Sequence, residues 1–148
     1  MVKIKRCFWL TVFVVSVWLP QNAVADNPSD ILIIVNKGVS ENKVDPELIR
    51  HLFLKIKTRW KKGTKVVPIH AKDGTQLRKE FLARLLKMTP DVEKAYWRDQ
   101  KIKVGLSKPP EFGNVQKAVF KLKGAIGYIY RSQYLEGVVK VVLVVPAE

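Results

Sequence analysis

Cysteine is nearly absent from this 148-residue chain: Cys7 is the only one, and residues 26–148 have none. An internal disulfide is therefore excluded, as are thiolate ligation of a metal and a cysteine nucleophile. Histidine is almost as scarce. His51 and His70 lie in no metal-ligand spacing with each other or with a cysteine, so neither a metal nor a cofactor is expected, and both histidines read as structural or surface residues. There is no Gly-x-Ser-x-Gly turn and no nucleophile–base–orienter set, which argues against an enzyme. Acid is in short supply: 13 Asp and Glu face 27 Lys and Arg, for a formal net charge of +14. The apolar run at 7–19 falls short of the roughly 20 residues needed to span a bilayer.

That run is framed as a signal peptide. Lys3, Lys5 and Arg6 precede it, Pro20 and Gln21 break it, and Ala23-Val24-Ala25 forms a small-x-small cleavage site. An uncleaved anchor is the competing reading. Cys7 lies at the positive end and not at the cleavage point, which disfavours a lipidated cysteine. Residues 1–25 are thus expected to be a signal peptide and residues 26–148 one periplasmic domain beginning near Asp26. Residues 1–25 carry three basic and no acidic side chains, so the remainder keeps +11. In the cytosol such an excess would suggest nucleic acid. Export turns the expectation to anionic envelope polymers, lipid head groups or a small oxyanion, with no nucleic-acid partner.

The punctuation predicts strands alternating with helices. ILIIVN at 31–36 reads as a buried strand and KVVPI at 65–69 as a second, with Pro68 needing an edge or a strand end. AIGYIY at 125–130 and VVKVVLVV at 138–145 read as the last strands. Asp45-Pro46-Glu47 opens a first helix. Residues 74–88 form a second, and Thr89-Pro90-Asp91 caps a third running to about Gln100. Residues 101–113 read as loop. Asn114 caps a fourth helix, with Gly124 as its stop. Asp91 and Glu93 are expected to complement the helix dipole. Trp60 and Trp97 are expected to pack, and of Tyr128 and Tyr130 one should face the core and one a loop. The fold class is α/β, a mixed sheet flanked by helices. Ligands in such folds sit where strand ends lead into helix starts.

AKDGTQLRKEFL at 71–82 is such a place. Asp73 can cap the helix with Gln76 reaching back, a capping box that needs no ligand. The same stretch also suits an anion. Gly74 permits close approach, Thr75 offers a hydroxyl, the helix start offers N–H groups, and Lys72 and Arg78 add positive charge. Asp73 opposes that reading unless it orients the loop or accepts from a protonated ligand. Both remain open on these residues.

Four stretches in order, ILIIVNKGV, LIRHLFLKIKTRWKKGTKVVPI, AKDGTQLRKEF and KGAIGYIY, resemble the periplasmic substrate-binding proteins of phosphate ABC transporters. The resemblance implies the type 2 periplasmic-binding fold, a phosphate or similar oxyanion as ligand, and an ABC permease as partner. It carries Asp73, Gly74 and Thr75 over to the family's acidic-Gly-hydroxyl turn. Ala71 stands where the family has an arginine, and Leu54 where it has a glycine. Full-length members have two lobes that close on the anion, whereas this chain has the length of one. It resembles the short single-lobe relatives, for which a second lobe would come from dimerisation or a partner protein.

Two functions follow. One is an oxyanion-binding lobe using Gly74, Thr75 and Arg78, with Lys72 and Asp73 assisting. The other is an envelope interaction module on the same fold, binding a partner protein or anionic polymer through Lys55, Lys57, Arg59, Lys61, Lys62 and Lys65 around Trp60. Those side chains also read simply as a solvated surface.

Overall fold

The computed structural model describes residues 26–148; the expected signal peptide lies outside the described residues. Strand β1 (Ile31–Val35) is the centre of the molecule. All five side chains are buried, as a continuous β-branched and leucine run requires when both sheet faces are covered. β1 pairs antiparallel with β5 (Ala125–Tyr130) on one side and with β6 (Lys140–Val145) on the other. The β6 register shifts between Ile33 and Ile34, so that strand carries a bulge. β2 (Val67–Pro68) runs parallel to β5 and completes a mixed sheet of order β2-β5-β1-β6. Pro68 therefore ends an edge strand, where its missing N–H costs no ladder bond.

The sequence reading placed one strand at 65–69. The chain instead makes two short ones: after Ile69 it turns to pair β3 (His70–Ala71) with β4 (Glu111–Phe112), in parallel, as a second small sheet. β4 lies within the segment expected to be loop.

Helix α1 (Pro46–Phe53) starts as its sequence dictates: Asp45 accepts from the Leu48 N–H at 2.7 Å, and Ile49, Leu52 and Phe53 enter the core. Helix α2 (Gln76–Phe81) is shorter than expected and passes into a π-helical turn over Leu82–Leu86, ended by Lys87 in the left-handed region. Helix α3 (Pro90–Val104) is capped by Thr89 as expected but runs a turn past Gln100. Its stop is Gly105 at φ 71°, whose N–H returns to Lys101 O. Lys101 and Lys103 in that last turn favour the helix's negative end. Helix α4 (Val115–Lys121) is capped by Asn114. Asn36, just after β1, donates from Nδ2 to Val119 O and Phe120 O and so holds the far end of α4 to the sheet. No helix of the described residues is long and apolar enough to cross a membrane.

Trp60 is buried and donates from Nε1 to Gly124 O at 2.9 Å, so it packs as expected. The lysines around it are mostly exposed. Lys55 is the exception: half-buried, it donates to Ser107 O at 2.7 Å and stands 5.8 Å from the Trp97 ring centre.

Gly127 is where α4 meets β5. A Cβ there would lie 2.4 Å from Val115 Cγ1 and 3.0 Å from Val119 Cγ2. Gly127→Ala is therefore expected to push α4 off the sheet and cost about 1–3 kcal/mol in urea unfolding, the usual range for overpacking. An unchanged midpoint would mean that α4 does not rest on β5 as described.

Candidate functional site

The carboxyl ends of β3, β4 and β5 meet at one corner of the molecule, and the turns that follow them enclose a cleft of about 390 Å³. Ala71, Lys72, Thr75, Gln76 and Leu77 form one wall; Phe112, Gly113, Asn114, Val115 and Gln116 form the opposite one; Ile129, Tyr130 and Gln133 close the back. This is where α/β folds place ligands.

Lys72 is the only charged side chain among the described residues lining the cleft. It is exposed and bridges the mouth: a Cβ built on Gly113 would sit 3.8 Å from its Nζ. No ion pair of the described residues involves it. The other polar groups of the walls are largely spoken for. Asn114 Oδ1 accepts from Lys117 N, the Gln116 amide makes two bonds with the Leu135 backbone, Gln133 Oε1 accepts from Tyr130 N, and Gln76 Nε2 donates to Glu80. The N–H groups of Gln76 and Leu77, in the first turn of α2, have no intrahelical acceptor.

The five residues singled out in the sequence separate. Lys72 and Thr75 line the cleft. Thr75, and not Asp73, is the N-cap of α2: its Oγ1 accepts from Arg78 N at 3.3 Å while donating to Lys72 O at 2.8 Å. Gln76 turns to Glu80, so the expected capping box does not form. Gly74 takes φ 77°, and its N–H donates to Asp73 Oδ1 at 3.0 Å. The Asp73 N–H donates to Glu111 Oε2 at 3.3 Å. The turn's own donors thus face the protein's own carboxylates. Burial opposes the Glu111 charge, but the Lys108 ammonium at 2.6 Å and the Asp73 amide outweigh it and hold Glu111 below its ordinary pKa.

Arg78 departs furthest from expectation. Its side chain points into the protein, only 1% exposed. Nη2 donates to both oxygens of Glu93, at 2.8 and 2.9 Å, and Nη1 donates to Ala71 O at 3.1 Å. Glu93, expected to serve the helix dipole, is buried by this pair and ties α3 to α2 and to the end of β3. The sequence did carry a signal. Arg78 is in phase with Phe81, Leu82 and Leu85, at i+3, i+4 and i+7, all buried; Glu93 is in phase with buried Trp97 at i+4. Two opposite charges on apolar stripes suit a buried pair.

Around the pair lies a polar network. Tyr128 is buried, as one of the two tyrosines was expected to be. Its hydroxyl oxygen accepts from Ala71 N at 3.2 Å and stands 3.0 Å from His70 Nδ1. In the tautomer where the Tyr128 hydroxyl donates to Nδ1, His70 carries its own proton on Nε2. That Nε2 faces Glu93 Oε1 at 3.5 Å, too long for a hydrogen bond. Burial, with the Arg78 cation next, holds the His70 pKa well below 6.5, so it is neutral in the fold. His70 Nε2, Arg78 Nε and Trp97 Nε1 have no hydrogen-bond partner among the described residues. A second cavity, about 380 Å³, lies outside the pair and is lined by Asp73, Arg78, Glu93 and Trp97 among others. Among the described residues no group of three or more His, Cys, Asp or Glu is placed to hold a metal ion.

Solved structures of similar shape are phosphate-transport proteins. A phosphate ABC transporter substrate-binding protein from Clostridium perfringens, solved with bound phosphate, superposes with a TM-score of 0.58 at 21% identity, over 78% of this chain and 45% of its own. An ABC-type phosphate transport receptor from Vibrio cholerae gives 0.58 at 13% identity, over 78% and 46%. PstS from Borrelia burgdorferi gives 0.56 at 14% identity, over 78% and 50%. This chain therefore has the fold of a single lobe of a periplasmic-binding protein and spans about half the length of the structures it matches. No protein-family model and no curated protein matches the sequence.

The buried histidine sets a pH dependence. Because its folded pKa lies below 6.5, the unfolded chain binds the proton more readily. Stability from this group is complete above that value and is lost as pH falls from it toward the folded pKa. Urea unfolding free energy should decline below about pH 6.5, before ordinary carboxylates titrate. In His70→Phe that early decline should be absent. An equal slope in wild type and His70→Phe would mean that His70 is not held neutral.

Proposed function

We propose that this chain is a non-catalytic solute-binding lobe, exported to the periplasm, that takes phosphate or a similar oxyanion weakly at the mouth of the cleft. The observation that carries the reading is the cleft itself: it lies at the carboxyl ends of three strands, in a fold shared with phosphate-transport proteins, and Lys72 is its one charged lining residue among the described residues. In this reading Lys72 supplies the charge and the first-turn amides of α2 supply donors. Thr75 and Gly74 shape the turn, while Asp73 and Arg78 hold it in place. A second lobe, from another copy or a partner protein, would complete the enclosure, and an ABC permease would be the receiving partner.

The affinity follows from the count of groups. One charge-assisted hydrogen bond contributes about 1.5–3 kcal/mol, and an anion left half in water gains little more. Dissociation constants of millimolar order are expected for the lone lobe. Titrating residues 26–148 with phosphate and sulfate should shift the amides of Lys72–Leu77 and Gly113–Val115, and Lys72→Gln should remove the shifts without changing the melting temperature. Wild-type spectra that ignore both ions, or shifts that survive in Lys72→Gln, would overturn the reading.

A further inference from the structure

The cleft is larger and more apolar than a bare tetrahedral ion needs. Such an ion occupies the space of about two or three waters, at roughly 30 Å³ each. The cleft encloses about 390 Å³. Its walls are mixed: Leu77, Phe112, Val115, Ile129 and the Tyr130 ring supply apolar surface, and among the described residues the charge is confined to Lys72 at the mouth. Sites for organic molecules have this composition, an apolar lining with a few placed polar groups. A fully charged inorganic phosphate would want several cationic donors, and Arg78, the guanidinium in the first turn of α2, is already gripped by Glu93.

We propose that the cleft takes an organic phosphate or phosphonate: an oxyanion head on Lys72 at the mouth and an apolar, ring-sized body lying between Phe112, Leu77 and Ile129. This deepens the oxyanion reading above and rests on it. Phe112 has room to act as the outer wall, since it is 38% exposed beside Gly113 and its side chain is not locked in the core. The absence of any carboxylate from the lining among the described residues fits an anionic head; Asp73 faces the other cavity. Tyr130, half-buried at the back, offers a ring face for stacking.

The test compares three probes on residues 26–148 by amide-shift titration: phenylphosphonate, inorganic phosphate and benzyl alcohol. Phenylphosphonate should bind at least about tenfold tighter than phosphate, equivalent to about 1.4 kcal/mol, and should shift the Phe112 and Ile129 amides as well as those at Lys72. Benzyl alcohol should cause no shift at matched concentration. Phe112→Ala should weaken phenylphosphonate and leave phosphate unchanged, while Lys72→Gln should weaken both. Phosphate binding as tightly as phenylphosphonate, or a Phe112→Ala variant with equal loss for both ions, overturns this inference and leaves the oxyanion reading standing. No response to either ion overturns both.

Discussion

A buried ion pair costs its desolvation before it returns anything, and this domain places one where three of its elements meet. Arg78 from α2 and Glu93 from α3 are both nearly sealed from solvent, and the arginine's other terminal nitrogen holds the last carbonyl of β3. The two-pronged contact leaves neither charge bare, which is the condition under which such a pair is tolerated. One wall of the cleft inherits its position from it. The chain leaves β3 at Ala71, turns through Lys72–Thr75 and enters α2, so the pair fixes both ends of the turn that forms one wall. Tyr128 pins the same carbonyl-bearing strand from the sheet side, through His70 Nδ1 and the Ala71 N–H. The Phe53, Phe81, His70 and Tyr128 rings pack around one another, with Phe81 and Tyr128 stacked at 3.7 Å.

The electrostatic consequence is a division of labour. The chain is strongly basic, yet the groups around the turn are answered from within: Arg78 by Glu93, Lys108 by Glu111, and the Asp73 and Gly74 amides by Glu111 and Asp73. In the proposed reading, an anion at the cleft would meet, among the described residues, the Lys72 ammonium and not a cluster. Weak binding to a single lobe would, in that reading, follow from this arrangement. On the proposal above, a ligand that adds apolar contact to its charge would gain more than one that adds charge alone, because the cleft has apolar surface to offer and, among the described residues, little further charge.

The strands and caps were legible because each obeys a local rule. β1 is apolar throughout and β-branched at four of its five positions, β5 sets its isoleucines among small and aromatic residues, and Asp45, Thr89 and Asn114 cap the helices their spacing announces. The resemblance drawn from four motifs led to the fold found in the solved structures. What stayed hidden depended on distant partners. Nothing local in Lys-Val-Val-Pro-Ile-His-Ala shows that pairing switches from β5 to β4 after Ile69. The end of α3 was misplaced because the turn at Gly105 looked like part of a loop. Arg78 was read outward because arginine is seldom buried; only its phase with Phe81, Leu82 and Leu85, set beside the phase of Glu93 with Trp97, pointed inward. Asp73 looked like the cap because acid three residues before Gln76 fits the rule, but Thr75 sits two residues closer to the first free amides and wins the position.

The central claim is that Arg78 and Glu93 act on each other inside the protein and hold the turn in place. A double-mutant cycle in urea unfolding, with Arg78→Met, Glu93→Leu and the pair together, measures it directly. Each single change should cost about 3–5 kcal/mol, because it strands a buried charge, and the double should cost far less than the sum. Single losses below about 1 kcal/mol that simply add, the behaviour of a pair in water, would contradict the account and return Arg78 to the surface.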